Sequence, residues 1–375
     1  MVSNSLLGNY SVLCVIAGVF ALSTGLSWCL FSSSRLRLLD YPNNRSLHET
    51  PVPRTGGFAI LLSLTIGLCM FFLIDKLQAG GVSIGSVLFS GDQVSVVSWI
   101  LLMTLFLAAV SFLSDWMGLG IGARLVCHTA AGLGIAAGAG LFVDKAVLIP
   151  GSLVNFGGIS ILLTTLFLVW MANMYNFMDG MDGFAGGMAV IGFGFLGYIA
   201  WARGHIPISA ISILVSAASA GFLCFNFPPA KIFMGDIGSV PLGFMAGVLA
   251  VWGIHDGVMS VWEPMLIFSP FVLDATGTLL VRALRGENIT QAHRKHCYQR
   301  AVLAGLGHKR TVFLEYTAMF AGGGCALYYG SMSRGHQMAV IAGFLSLYPV
   351  ISFGIRLYER RKSIGRMRQS LNSKI

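Results

Sequence analysis

The sequence predicts an all-α membrane protein: a polytopic helix bundle of about eleven transmembrane helices, N-terminus outside and C-terminus cytoplasmic. Three observations lead there. Only 10% of the 375 residues are charged, against roughly 25% in soluble chains, and the mean hydropathy is +0.77. Apolar runs long enough to cross a hydrocarbon layer recur along the whole chain. The basic residues are also strongly partitioned between alternate connections. Of 24 Lys and Arg, only Lys76, Lys145, Arg203 and Arg334 fall on one side, which marks the other side as cytoplasmic.

The first run, 6–31, lacks a basic leader and is followed by Arg35 and Arg37, so it reads as a retained helix and not a cleaved signal. Runs 58–77, 94–113, 125–143 and 159–174 follow, each near the length needed at ~1.5 Å rise per residue. Run 184–201 is glycine-rich; Gly186, Gly187, Gly192 and Gly194 suit close helix packing. Runs 208–225, 240–254, 264–281, 312–329 and 338–355 complete the set. Residues 1–375 form one transmembrane domain ending in a basic tail, 356–375, suited to anionic lipid headgroups. Topology accounts for the net charge of +9, so nucleic acid is not an expected partner. The seven cysteines show no paired spacing and read as small reduced core residues.

Every polar motif falls in connections that share the cytoplasmic face: 32–57, 114–124, 175–183, 226–239 and 282–311. The central one follows run 159–174 directly. Asn173-Met174-Tyr175-Asn176-Phe177-Met178-Asp179-Gly180-Met181-Asp182-Gly183 holds two carboxamides and two carboxylates. Uncompensated acids at the end of a membrane-length run are costly, so a cation or polar ligand is expected there. The plain alternative is a solvated interhelical turn. Connection 226–239 repeats the pattern in Phe233-Met234-Gly235-Asp236-Ile237-Gly238-Ser239, an acid between glycines at a helix start. Asp236 with Asp179 or Asn176 supplies the few hard oxygens that Mg²⁺ asks of a protein, and Phe233 can stack on a ring.

In the first connection, Arg45, His48 and Arg54 precede Gly56-Gly57 and can hold phosphate oxygens. The second offers a single acid, Asp115, after Ser114 and before Arg124. The fifth holds His293, Arg294, Lys295, His296 and Arg300; no further ligand at zinc spacing accompanies the histidines, so they read as a cationic clamp. Asp274, Thr278 and Arg282 share one helix face upstream, where Asp274 reads as a structural polar contact. Walker, dinucleotide and G-x-S-x-G signatures are absent, which counts against ATPase, dehydrogenase and serine hydrolase chemistry. Acids and cations on one face point instead to cation-assisted phosphoryl transfer. A lipid-phosphate transporter or flippase would place more polar residues at the midplane, and a non-catalytic scaffold leaves the acidic glycine motifs unexplained.

Asn173-x-x-Asn176-Phe177-x-Asp179-Gly180-x-Asp182-Gly183, Phe233-x-Gly235-Asp236-x-Gly238-Ser239, the stretch from Pro42 through Arg45, His48 and Arg54 to Gly57, and His293-Arg294-x-His296-x-Tyr298-Gln299-Arg300 resemble the polyprenyl-phosphate N-acetylhexosamine-1-phosphate transferases, glycosyltransferase family 4. The pattern is most similar to the bacterial branch that initiates lipopolysaccharide O-antigen; the peptidoglycan or teichoic-acid precursor branch is the alternative. The resemblance implies transfer of a sugar 1-phosphate from a UDP-N-acetylhexosamine (UDP-N-acetylglucosamine or a 6-deoxy relative such as UDP-N-acetylfucosamine) to undecaprenyl phosphate, with release of UMP. It implies Mg²⁺, for which Mn²⁺ could substitute, a multi-pass protein of the bacterial inner membrane in contact with its lipids, and an active site on the cytoplasmic face. A homodimer is compatible with it. It makes Asp115, Asp179 and Asp236 the catalytic acids, with Asp236, Asp179 and Asn176 at the metal. Asp182 and Phe233 would contact uridine, and Arg45, His48, Arg54, His293, Arg294, His296 and Arg300 phosphate. One departure stands out. The family's Asp-Asp pair is Ser114-Asp115 here, and the basic position that follows it falls on Gly122.

Overall fold

A computed structural model describes residues 2–33, 38–42, 47, 50–79, 89, 91–288, 291 and 293–372. The chain is a polytopic helical membrane protein. Its long helices are α1 (Val2–Ser32), α2 (Gly56–Ala79), α3 (Gly91–Met117), α4 (Ile121–Leu133), α5 (Ser160–Met178), α6 (Phe184–Ala202), α7 (Ile206–Asn226) and α8 (Asp236–His255). After α8 come α9 (Trp262–Ile267), α10 (Ser269–Leu284), α11 (Cys297–Ala301), α12 (Gly307–Tyr329) and α13 (Arg334–Asn372). Among the described residues, nine helices are long and apolar enough to span a membrane: α1 to α8 and α13.

The count of about eleven differs for identifiable reasons. Run 264–281 is split at Phe268, whose φ of −93° and ψ of 17° end α9, and Pro270 opens α10 without an N–H to continue the ladder. Run 312–329 is helical as part of α12, but Glu315 and the three glycines 322–324 make it less apolar than the nine spans. Run 125–143 keeps its place among the nine, although it leaves α-helical geometry at Gly134 and passes through a π turn, Gly134–Gly138.

The stretch expected as a plain connection, 144–155, is a β-hairpin: β3 (Lys145–Ile149) pairs antiparallel with β4 (Ser152–Asn155), Lys145 opposite Asn155. Pro150-Gly151 forms its turn, Gly151 at φ +90°. Trp262 donates its indole N–H to the Leu148 carbonyl at 3.0 Å, tying the hairpin to α9. Glu263 beside it receives Arg203 at 3.0 Å, and Gly151 abuts the Arg334 guanidinium. Three of the four basic residues assigned to the external side, Lys145, Arg203 and Arg334, therefore gather at one end of the bundle.

Helix α8 is the axis of the core. It is buried almost throughout, whereas α1 and α13 mostly face outward. Small residues let its neighbours approach: a Cβ on Gly243 would lie 2.5 Å from the Met171 carbonyl of α5, and one on Gly57 of α2 would lie 2.4 Å from the Gly238 nitrogen. Backbone-to-backbone contact at Gly57–Gly238 locks the first turns of α2 and α8 together. Gly57→Val should therefore lower the thermal midpoint of the detergent-solubilised protein, at a cost of about 1–3 kcal/mol for overpacking. Gly122→Ala, in α4 with open space around it, should leave the midpoint unchanged or raise it slightly. Equal midpoints for the two variants would show that α2 and α8 are not in contact there.

Candidate active site

Asp236 is placed by its flanking backbone. A short hairpin, β1 (Leu39–Asp40) with β2 (Val52–Pro53), holds the end of the first connection. The Phe233 N–H donates to the Pro53 carbonyl at 2.7 Å, Gly56 N–H to the Phe233 carbonyl at 2.9 Å and Gly57 N–H to the Met234 carbonyl at 2.9 Å. The segment 53–57, from the end of β2 into the start of α2, is thus zipped onto 233–234. Gly235 then turns the chain at φ +70°, pressed so close to the Arg54 carbonyl that a Cβ would fall 2.5 Å away. Asp236 emerges as the first residue of α8, where a carboxylate also complements the helix dipole.

Two other connections converge on this carboxylate. From α5, the Asn176 carboxamide donates to Asp236 Oδ1 at 2.9 Å and to Ser239 Oγ at 2.9 Å. From α4, Arg124 donates to Asp236 Oδ2 at 3.1 Å. Asp115, at the end of α3, pairs with Arg54 at 3.4 Å. Asn173, Asn176 and Asp179 lie three apart along the end of α5; Asn173 contacts His128 of α4 at 3.1 Å. Asp179 terminates α5. Burial, then the negative charges of Asp236 and Asp40, raise its carboxyl to about 7. A carboxyl so placed favours either a proton or a cation beside it.

Beyond Asp179 the chain turns through Gly183, at φ +73°, into α6. Asn226 accepts the Gly183 N–H at 3.0 Å and donates to the Ile232 carbonyl at 2.9 Å, so one side chain joins the third and fourth connections. Asp182 accepts the Ala230 N–H at 3.0 Å and meets His308 at 3.2 Å. An apolar groove of about 570 Å³ between α1, α2 and α3 is lined by Leu26, Leu30, Phe58, Leu62 and Trp116 among others, and by Thr55, the neighbour of Arg54. Among the described residues, no three His, Cys, Asp or Glu side chains form a closed metal cage. The arrangement instead presents two carboxylates, Asp236 and Asp179, with a carboxamide fixing the first. That is an open set of hard oxygens of the kind that leaves a divalent cation free to take phosphate oxygens.

A model described as glycosyl transferase family 4 matches residues 97–254, from α3 to the end of α8. Over 317 residues the chain is 30% identical to the decaprenyl-phosphate N-acetylglucosaminephosphotransferase of Mycolicibacterium smegmatis, covering 77% of this chain and 74% of that protein. The chain belongs to glycosyltransferase family 4. It is also 29% identical, over 76% of its length and 75% of the relative's, to a probable undecaprenyl-phosphate N-acetylglucosaminyl 1-phosphate transferase of Bacillus subtilis. To the phospho-N-acetylmuramoyl-pentapeptide-transferase of Halalkalibacterium halodurans it is 27% identical over 72% of this chain and 80% of the relative.

On this family 4 scaffold the structure brings together Arg54, Asp115, Asn176, Asp179 and Asp236, with Asp182 and Phe233 in the adjoining segments. Arg45 and His48 lie outside the described residues. The cations of the fifth connection do not form the single clamp expected. Arg300 is engaged by Glu359 of α13 at 3.0 and 2.7 Å. His296 caps α11 and faces Asp274 at 3.6 Å. Burial, with His296, Arg282 and Lys295 nearby, pushes His293 down to about 4, so its ring is neutral at pH 7. Arg294 is half-buried in the same connection. Asp274 is the structural contact expected: it accepts the N–H groups of Cys297 and Tyr298 at 2.8 and 3.2 Å and the Thr278 hydroxyl at 3.0 Å. Tyr298 then reaches back to the Phe177 carbonyl at 3.3 Å.

Arg124, His128, Asn226 and His308 escaped the sequence reading. The first two carried a signal: Arg124 and His128 are four apart on an otherwise apolar helix, and so share a face. Arg124 lies two residues past Gly122 and donates to Asp236.

The shift at Asp179 has a sign. Between its usual 3.8 and about 7 the folded protein keeps a proton that the unfolded chain has released, so stability falls as pH rises through that window. With EDTA present, Asp179→Asn should melt several degrees above wild type at pH 8, and the difference should shrink at pH 5. An equal difference at both pH values in thermal-shift measurements would contradict the burial of this carboxyl beside Asp236.

Proposed function

We propose that the chain transfers an N-acetylhexosamine 1-phosphate from its UDP-sugar to a polyprenyl phosphate, giving a sugar-diphospho-prenol and UMP. The observation that carries this reading is the meeting of Asn176, Asp179 and Asp236, from two separate connections, beside Arg54, Asp115 and Arg124. Its relatives from M. smegmatis and B. subtilis, whose names describe transfer of N-acetylglucosamine phosphate to a prenyl phosphate, support the substrate class.

In the reaction an oxygen of the lipid phosphate attacks the β-phosphorus of the UDP-sugar. The bond from that phosphorus to the bridging oxygen breaks, and the bridging oxygen leaves with UMP. A phosphate monoester has its second pKa near ~6, so the nucleophile needs no strict general base. This accommodates Ser114 where the family carries an acid. Asp236 and Asp179 would hold a Mg²⁺ ion, with Asn176 orienting the first and offering its carbonyl oxygen as a third donor. The ion would neutralise charge on the diphosphate and align it with the acceptor. Arg54 and Arg124 draw phosphate oxygens toward the same point, and Asp115 keeps Arg54 in place. The apolar groove beside Arg54 suits a prenyl chain whose phosphate lies at the acids.

The finer reading is UDP-N-acetylglucosamine or a 6-deoxy relative such as UDP-N-acetylfucosamine as donor, undecaprenyl phosphate as acceptor at the cytoplasmic face of the inner membrane, and O-antigen as the glycan begun. It rests on the motif resemblance. Purified protein with undecaprenyl phosphate, Mg²⁺ and a panel of UDP-sugars should release UMP with an N-acetylhexosamine donor and lose activity with EDTA. Asp236→Ala should lower the rate by about 10³-fold or more, the scale of losing an electrostatic anchor for transferring phosphate. Asp115→Asn should keep measurable turnover. Loss of the same size in both would assign Asp115 an obligatory proton-transfer role.

A further inference from the structure

His308 lies in the first turn of α12 and is remote in sequence from every motif of the site, yet it touches two of the connections that build it. Its Nδ1 faces Asp182 Oδ1 at 3.2 Å. The Leu47 backbone of the first connection lies beside the same ring. Asp182 in turn holds the Ala230 N–H at 3.0 Å with its other oxygen. One imidazole therefore bridges the first connection to the third, and through Asp182 to the fourth. Both of these side chains are largely buried, at 21% and 14% exposure, which keeps the contact from being screened by water. Asp182 and the Leu47 backbone also hold the imidazole above the usual histidine range despite its burial. A second link from the same helix runs alongside: the Tyr316 hydroxyl donates to the Gly183 carbonyl at 2.7 Å, two helical turns after His308.

We propose that His308 is a positioning residue for the nucleotide: it fixes the carboxylate of Asp182 between Leu47 and the Ala230 segment, so that the uridine end of the donor is met by a preformed surface. The inference rests on the reading of Asp182 as a uridine contact under the proposed function. It touches neither the reacting phosphates nor the acids that would hold the cation. Its removal loosens donor binding, because the segments must then be ordered at the cost of binding energy, and leaves the chemical step intact.

The test separates binding from turnover. His308→Phe keeps a flat ring and removes its polar contacts; His308→Ala removes the ring as well; His308→Gln keeps a polar group able to reach Asp182. In the UMP-release assay, His308→Phe and His308→Ala should raise KM for the UDP-sugar about tenfold while kcat stays within about threefold, the pattern of lost uniform binding. His308→Gln should return KM to within about threefold of wild type. Calorimetric titration with UDP alone should show the same order of affinities. If KM is unchanged in the Phe and Ala variants, if kcat falls in step with KM, or if Gln is no better than Ala, the positioning role is overturned. Should only Gln and Ala be obtained folded, the comparison between them decides. Wild-type protein that binds no UDP and releases no UMP would overturn the functional reading itself, and this inference with it; wild type that does both, with indifferent His308 variants, overturns this inference alone.

Discussion

The site depends on bringing like charges together at the end of a buried helix. Asp236 opens the most enclosed helix of the bundle, and Asp179 and Asp115 stand close enough for their charges to oppose its own. Such a cluster survives only where counter-charges and donors are fixed around it. Arg124 and Arg54 supply the charge, and Asn176 and Ser239 the hydrogen bonds. The close approach of Gly57 to Gly238 holds this arrangement rigid, because it leaves no side chain between α2 and α8 to give way. The acids are thus held where a hard cation and phosphate oxygens compensate them best.

The class of fold was legible because hydropathy and the distribution of basic residues are whole-chain properties that no local packing can reverse. The same holds for the central acids: a carboxylate after a membrane-length run is costly wherever it lands, so Asp179 and Asp236 announced themselves. Less legible were features set by contacts distant in sequence. The break at Phe268 turns on Pro270 following it inside an apolar run that hydropathy reads as continuous. Arg300 looked like a phosphate ligand because its carboxylate partner, Glu359, lies on another helix 59 residues on. Asn226 gave no signal at all, since a lone carboxamide before a Pro-Pro turn resembles any helix end.

The two ends of the bundle use polarity differently. At the end away from the acids, Arg203 closes an ion pair with Glu263 of α9, Trp262 ties α9 to the β3–β4 hairpin, and His205 contacts Asp256 at 3.0 Å. These pairs satisfy themselves. At the other end the charges are less evenly matched: Asp179 has two carboxylates and a deep setting for company, while Arg54 and Arg124 pair with Asp115 and Asp236. The asymmetry between self-satisfied and unsatisfied polarity distinguishes a structural cap from a reactive surface on one helical frame. The fifth connection belongs to both kinds: Asp274 and Glu359 anchor it, and Tyr298 reaches the backbone beside Asp179.

The groove walled by α1, α2 and α3 is bordered by the exposed apolar side chains of Phe58, Leu62 and Trp116. Under the proposed activity, an acceptor that arrives through it is drawn from a two-dimensional solvent. Its effective concentration is then a mole fraction among the surrounding amphiphiles and not a molarity, so added detergent dilutes the acceptor without changing how much of it is in the tube. The two substrates of one catalytic event would obey different concentration scales, and saturation in one phase would say nothing about saturation in the other.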